Sequence, residues 1–255
     1  FVKESVNQTP IVDTVFSIVA KAKEAKAKVG SENVVDATIG SVYDEEGTLV
    51  ALDSVFSSLK NLDNKVLAAY AASFTGNPDF RQKVYDWVLN GNSHLEHEVI
   101  ATPGGTGAVG MTLQECLDEG QTVVLPEIAW GSYALMAQMH NLNVEKYSLF
   151  EEDHFNLNSF KSACKNVMEK QNRLVIVIND PCHNPTGYSL SKDEWKEVIS
   201  FLNECSKTHA VVLLNDIAYI DFSSRQEKAK EYFAQFDQIE KNFVVIVAFS
   251  LSKSM

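Results

Sequence analysis

The chain has 255 residues, 45% of them hydrophobic and 10% aromatic, which supplies a buried core and is not the composition of a disordered chain. Its 22 basic and 34 acidic side chains leave a formal charge of −12, against the basic face that nucleic-acid binding needs to displace phosphate counterions. Cys116, Cys164, Cys182 and Cys205 lack metal-ligand spacing, so free thiols, a cytoplasmic setting and no metal are expected. No apolar run approaches the ~20 residues of a membrane span.

From Thr9 the pattern turns helical. Pro10 suits a first turn, Ile11, Val12, Val15, Phe16 and Val19 line one face, and Gly30 ends the run after a Lys-rich stretch to Lys28. Residues 1–35 are therefore expected to form an arm or part of a smaller domain, and 36–255 a single larger one.

After residue 95 short β-rich apolar runs appear at 121–125, 173–178, 210–214 and 243–249, with a weaker one at 144–149. Helical patterns separate them, the clearest starting at Ser191, where Ser191 and Glu194 form a capping box before Trp195, Val198, Ile199 and Leu202. Continuous apolar strands alternating with helices predict an α/β fold of three layers, a mostly parallel sheet with helices on both faces. Ligands of such sheets bind at the carboxyl ends of the strands.

Five segments at those ends or at helix starts carry candidate chemistry. Thr102–Ala108 (TPGGTGA) precedes a helical stretch to Cys116, so glycine amides, a helix N-terminus and the Thr106 hydroxyl could receive a phosphate. It matches neither the dinucleotide fingerprint nor the P-loop, and a plain tight turn reads equally well. Trp130, past the strand at 121–125, could stack on a planar ring or pack in the core. The loop Asn179–Gly187, with prolines on both sides of His183-Asn184, is expected to be rigid and extended. Asp216 follows a buried strand and needs a partner there, or caps the next element. The run Ser250-Leu251-Ser252-Lys253 follows the last strand. Together these offer a phosphate cup, a stacking indole, a carboxylate, an Asn and Tyr pair and a lysine, the set that pyridoxal phosphate requires.

In TPGGTGA at 102–108, Trp130, HNPTG at 183–187, Asp216 with Tyr219, and SLSK at 250–253, the sequence resembles the class I aminotransferases. These are fold type I pyridoxal-phosphate enzymes, and the pattern is close to aspartate and aromatic aminotransferases. Tyr70 and GNPDF at 76–80 also look like the family's, and the matches keep family order over roughly 40–255. The resemblance implies the large, cofactor-binding domain and assigns roles. Lys253 would hold pyridoxal 5'-phosphate as a Schiff base and move the substrate's α-proton. Asp216 would keep the pyridine nitrogen protonated, and Asn184 and Tyr219 would bond the phenolic oxygen. Gly105, Thr106, Ser250 and Ser252 would hold the phosphate and Trp130 would stack on the ring. Gly40, with Trp130 and Asn184, would meet the substrate, and Tyr70 would reach the phosphate of the neighbouring subunit, implying a homodimer.

The implied reaction moves an amino group between an acidic or aromatic L-amino acid and a 2-oxo acid. A lyase or synthase on the same fold is an alternative, as is a cofactor-binding regulatory module, although no basic DNA-binding segment accompanies this acidic chain. Two departures stand out. Aspartate-aminotransferase-like members usually carry His three residues after the stacking Trp, where this chain has Tyr133. The family's phosphate- and carboxylate-binding arginines match none of Arg81, Arg173 and Arg225. The chain starts without Met and stops two residues past Lys253, in the loop after a strand, which reads as an excerpt of a longer polypeptide with the C-terminal small domain absent.

Overall fold

The computed structural model describes residues 14–89, 91–224 and 226–254. The expected helix start at Thr9-Pro10, with Ile11 and Val12, lies outside them, as do Arg225 and Met255. Among the described residues, those up to Ala69 and those from Tyr70 onward pack as two compact units, and no helix is long and apolar enough to cross a membrane.

In the first unit, α1 (Thr14–Val29) ends where Gly30 takes a φ of 88° and its N–H donates to the Lys26 carbonyl. Only glycine adopts that left-handed turn cheaply. Of the stripe expected to be apolar on this helix, Phe16 is exposed and Val19 half-buried. Two short helices, α2 (Asp53–Lys60) and α3 (Asn64–Ala68), follow a bridge between Tyr43 and Leu49. Lys26 donates to Asp36 at 2.7 Å and, with Thr38, holds that carboxyl down at about 2. The packing division falls at Ala69/Tyr70, whereas the sequence suggests a domain boundary after residue 35.

The second unit opens with α4 (Pro78–Val88) and α5 (Gly104–Cys116) and is then built on strands. These are β1 (Thr122–Pro126), β2 (Asn143–Tyr147), a small antiparallel hairpin of β3 (Phe150–Glu151) and β4 (His154–Phe155), β5 (Arg173–Asn179), β6 (Ala210–Asp216) and β7 (Phe243–Ala248). The helices between them are α6 (Ser132–Met139), α7 (Leu157–Met168) and α8 (Lys192–Ser206). The main sheet runs β2-β1-β5-β6-β7, every pair parallel, so all five predicted runs are strands.

Both faces of this sheet are covered, which is why the strands read as continuous apolar runs. Period two sorts their side chains: Leu174, Ile176 and Ile178 enter one core with α7 and α8, while Val175 and Val177 enter the other with α5 and α6. The first core is closed by the 3-10 segment Gln226–Gln238, whose Tyr232 stacks on Trp195 at 4.7 Å. The α/β fold of three layers is therefore as expected, with the sheet's order reversing between β1 and β5, the crevice where such folds receive ligands.

Helix α8 begins as the sequence suggests. Ser191 accepts the Glu194 N–H at 3.2 Å while the Glu194 carboxylate accepts the Ser191 N–H at 2.7 Å. Burial pushes the Glu194 carboxyl up, but hydrogen bonds from Tyr188 and Ser191 outweigh it and leave it below the ordinary value. Ser191→Ala is expected to cost about 1 kcal/mol, as lost caps do, in urea unfolding at neutral pH. A loss near zero would mean that the box is not a determinant of stability.

Candidate active site

Asp216 is the last residue of β6, paired in register with Asn179 of β5 and Ala248 of β7. The strand's apolar neighbours bury it, and only 7% of it is exposed. Its Oδ2 accepts the Tyr133 hydroxyl at 2.5 Å and its Oδ1 the Ala218 N–H at 3.0 Å. Among the described residues both donors are neutral. Burial raises the Asp216 carboxyl above its ordinary value, and the bonds from Tyr133 and Ala218 oppose that rise.

From Asp216 the hydrogen bonds continue into the loop after β5. Asn179, itself buried, donates its amide to the Asp216 carbonyl at 2.8 Å and accepts the Asn184 N–H on its Oδ1 at 2.7 Å. Asn184 in turn donates to the Tyr219 hydroxyl at 3.2 Å. As an acceptor there, the Tyr219 oxygen keeps its own proton free to donate. The Tyr219 ring has the Lys253 Nζ 5.8 Å from its centroid.

The loop itself is not extended as expected. It folds into a tight turn closed by Gly187 N–H to His183 O at 2.6 Å and His183 N–H to Tyr188 O at 2.8 Å, with Cys182 at a φ of 59°. Two prolines restrict the backbone but do not choose between an extended path and a turn, and the Asp180 carboxylate decides it. That buried side chain accepts the Leu190 N–H at 2.7 Å, joining the loop's two ends, and the Trp195 indole at 2.8 Å, tying them to α8.

The glycine segment forms the first turn of α5, and its N-terminus packs beside the chain leaving β7. A Cβ added at Gly105 would lie 3.4 Å from that of Ser250, so glycine keeps the gap between them open. Ser250 accepts the Ser252 N–H at 3.1 Å and donates to the Ser252 hydroxyl at 2.8 Å, capping the turn Leu251–Lys253. Trp130 is half-buried and meets Tyr133 edge-on, 5.3 Å between centroids and 86° between planes.

Hydrogen bonds and ring contacts therefore link Trp130, Asp216, Asn184, Tyr219 and Lys253 along one edge of the sheet, with Gly105, Ser250 and Ser252 adjoining. Three expected residues are not tied into that chain. Thr106 is exposed in the first turn of α5, Tyr70 is 97% exposed, and Gly40 belongs to the first unit. Two residues that sequence reasoning left without a role hold the site together: Tyr133 and Asn179. Asn179 had a signal, a polar residue closing an otherwise apolar strand. The substitution at Tyr133 was visible, but not which group its hydroxyl meets.

A family model described as aminotransferase class I and II matches residues 32–255. The aromatic-amino-acid aminotransferase of Paracoccus denitrificans is 24% identical over 197 residues, 76% of this chain and 49% of that protein. The aspartate aminotransferase of Pseudomonas aeruginosa is 26% identical over 223 residues, covering 85% and 55%. Among solved structures, an aminotransferase from Anaerococcus prevotii superposes with a TM-score of 0.91 at 34% identity, over 100% of this chain and 63% of that one. The chain spans about half the length of the curated relatives it matches.

A raised carboxyl value in the folded state means that the folded chain binds the Asp216 proton more tightly than the unfolded chain. That contribution is present below the ordinary carboxylate value and is lost as pH rises through the raised one. Asp216→Asn removes the buried charge. The ligand-free variant is thus expected to melt above the wild type at neutral pH, and the two should converge in acid. A wild type that melts higher at neutral pH would contradict this account of Asp216.

Proposed function

The chain belongs to the aminotransferase class I and II family, and from that premise we propose that the whole protein is a pyridoxal-phosphate-dependent aminotransferase. It would move an amino group between an acidic or aromatic L-amino acid and a 2-oxo acid. The observation that carries the proposal is Asp216, a buried carboxylate that receives hydrogen bonds only from neutral donors among the described residues. A buried anion without a counter-charge is costly, and a protonated pyridine nitrogen is a cation of the right size and shape to supply one. A solved relative, the aromatic-amino-acid aminotransferase of Burkholderia pseudomallei, is described as covalently bound to pyridoxal phosphate.

The other residues fit the same group. Gly105, Thr106, Ser250 and Ser252 would hold its phosphate at the N-terminus of α5, where free N–H groups and the helix dipole favour an anion. Asn184 and Tyr219 would donate to its phenolic oxygen, and Trp130 would cover the ring. When bound, pyridoxal phosphate supplies an aldehyde that condenses with amines and a ring that accepts the electron pair left by a departing α-proton.

Asp216 would keep the ring nitrogen protonated. Lys253, an exposed amine on the turn after β7, would hold the cofactor covalently and, once displaced by substrate, take and return the α-proton at its Nζ. Trp130 and Asn184 would line the substrate position. Tyr70 would reach the phosphate of a neighbouring subunit, so a homodimer belongs to the proposal, and its 97% exposure on one chain supports that. A cytoplasmic location is part of the same reading, supported by four cysteines with no disulfide among them.

Labelling provides the test. Borohydride reduction of the full-length protein loaded with pyridoxal phosphate should fix the cofactor to the peptide containing Ser250-Leu251-Ser252-Lys253. Lys253→Ala should lower transamination by roughly two to four orders of magnitude, the range for a positioned base. A label on another lysine, or full activity without Lys253, would overturn the assignment.

A further inference from the structure

We propose that Tyr133 is a positioning residue for this reaction, one whose hydroxyl holds the Asp216 carboxylate in a single orientation toward the ring nitrogen. This rests on the reading of the site as a pyridoxal phosphate site.

Three features of the geometry carry it. First, the phenol cannot wander: Tyr133 is 1% exposed and its ring lies in the core formed by Val109, Leu125, Val177 and Leu214. Its N–H donates to the Trp130 carbonyl at 3.1 Å, and the Trp130 indole meets its ring edge-on. Second, the 2.5 Å bond joins residues 83 positions apart, from α6 to the end of β6. With the Ala218 N–H on the other oxygen, each oxygen of the carboxylate is fixed by a donor and rotation about its terminal torsion is arrested.

Third, the donor is neutral and remains so. Burial first, then the facing charge of Asp216 and the neighbouring Tyr219, push the Tyr133 phenol far above its ordinary value. A neutral donor favours the ionised carboxylate without supplying a full positive charge. A lysine or arginine in its place would satisfy Asp216 internally and leave less attraction for a cationic ring. Tyr133 therefore solves two demands at once, keeping a buried carboxylate oriented while leaving its charge available.

Tyr133→Phe keeps the ring and deletes the donor; Tyr133→His keeps a ring and an N–H. Full-length protein without cofactor, labelled with 13C at the Asp carboxyl carbons, reports Asp216 through the resonance that Asp216→Asn removes. The Asp216 midpoint should rise in Tyr133→Phe and stay at or below the wild-type one in Tyr133→His. Pyridoxal phosphate affinity, read by quenching of tryptophan fluorescence, should weaken about tenfold in Tyr133→Phe, as expected for one hydrogen bond to a charged group.

An unchanged Asp216 midpoint in Tyr133→Phe, or unchanged pyridoxal phosphate affinity in that variant, overturns the proposal. If Tyr133→Phe does not fold, Tyr133→His decides: a midpoint at or below the wild-type one supports the role, and a raised one overturns it. The carboxyl titration needs no cofactor. Its failure is thus distinct from failure of the Lys253 label, which would overturn the cofactor reading and this role with it.

Discussion

A carboxylate at the buried end of a central parallel strand cannot go unprovided with donors, because desolvating an isolated anion costs more than a small domain's net stability can supply. The surroundings of Asp216 answer that demand with a phenol from α6 and a backbone N–H two residues on. Neither donor brings a positive charge, so the burial cost is only partly offset within the chain, and the carboxyl stays above its ordinary value. In the proposed function that residual cost would favour a cation at one defined place, as a preorganised site favours a charged ligand without rearranging.

The rest of the site depends on the same strand end. Asn179 stands beside Asp216 in register and uses both ends of its amide, one on the Asp216 carbonyl and one on the Asn184 N–H. Asn184 then orients the Tyr219 hydroxyl. Farther back, Asp180 ties the loop to the indole of Trp195, which stacks on Tyr232 in the core between sheet and α8. A polar loop is in this way held by a packed aromatic pair, and a ligand bound there would meet donors already in place, with little ordering cost.

In the proposed cofactor site a phosphate would be received by geometry more than by charge. The chain is acidic, with 34 acidic against 22 basic side chains, so no general positive field would steer a phosphate to it. The N-terminus of α5 offers backbone donors, and the glycine at 105 leaves Ser250 close by. Short-range hydrogen bonds and the helix dipole act within the last few ångströms, where the net charge of the surface matters little.

Residue order alone determined the strands, the parallel sheet, the capped helix at Ser191 and the segments that meet at the sheet's carboxyl edge. Each of those is a local matter of period, cap or turn chemistry, readable in a window of a dozen residues. Trp130, Asn184, Asp216 and Lys253 could be singled out because each sits at a strand end. Tertiary structure alone decided how they are joined. That Tyr133 donates to Asp216 depends on α6 lying against the end of β6, 83 residues away in sequence. That the loop after β5 folds back instead of extending depends on a carboxylate reaching an indole in the next helix. Hydrogen bonds to buried groups are short-ranged and directional, so their partners are fixed by which elements pack together, and packing of distant elements leaves no periodic trace in a single sequence.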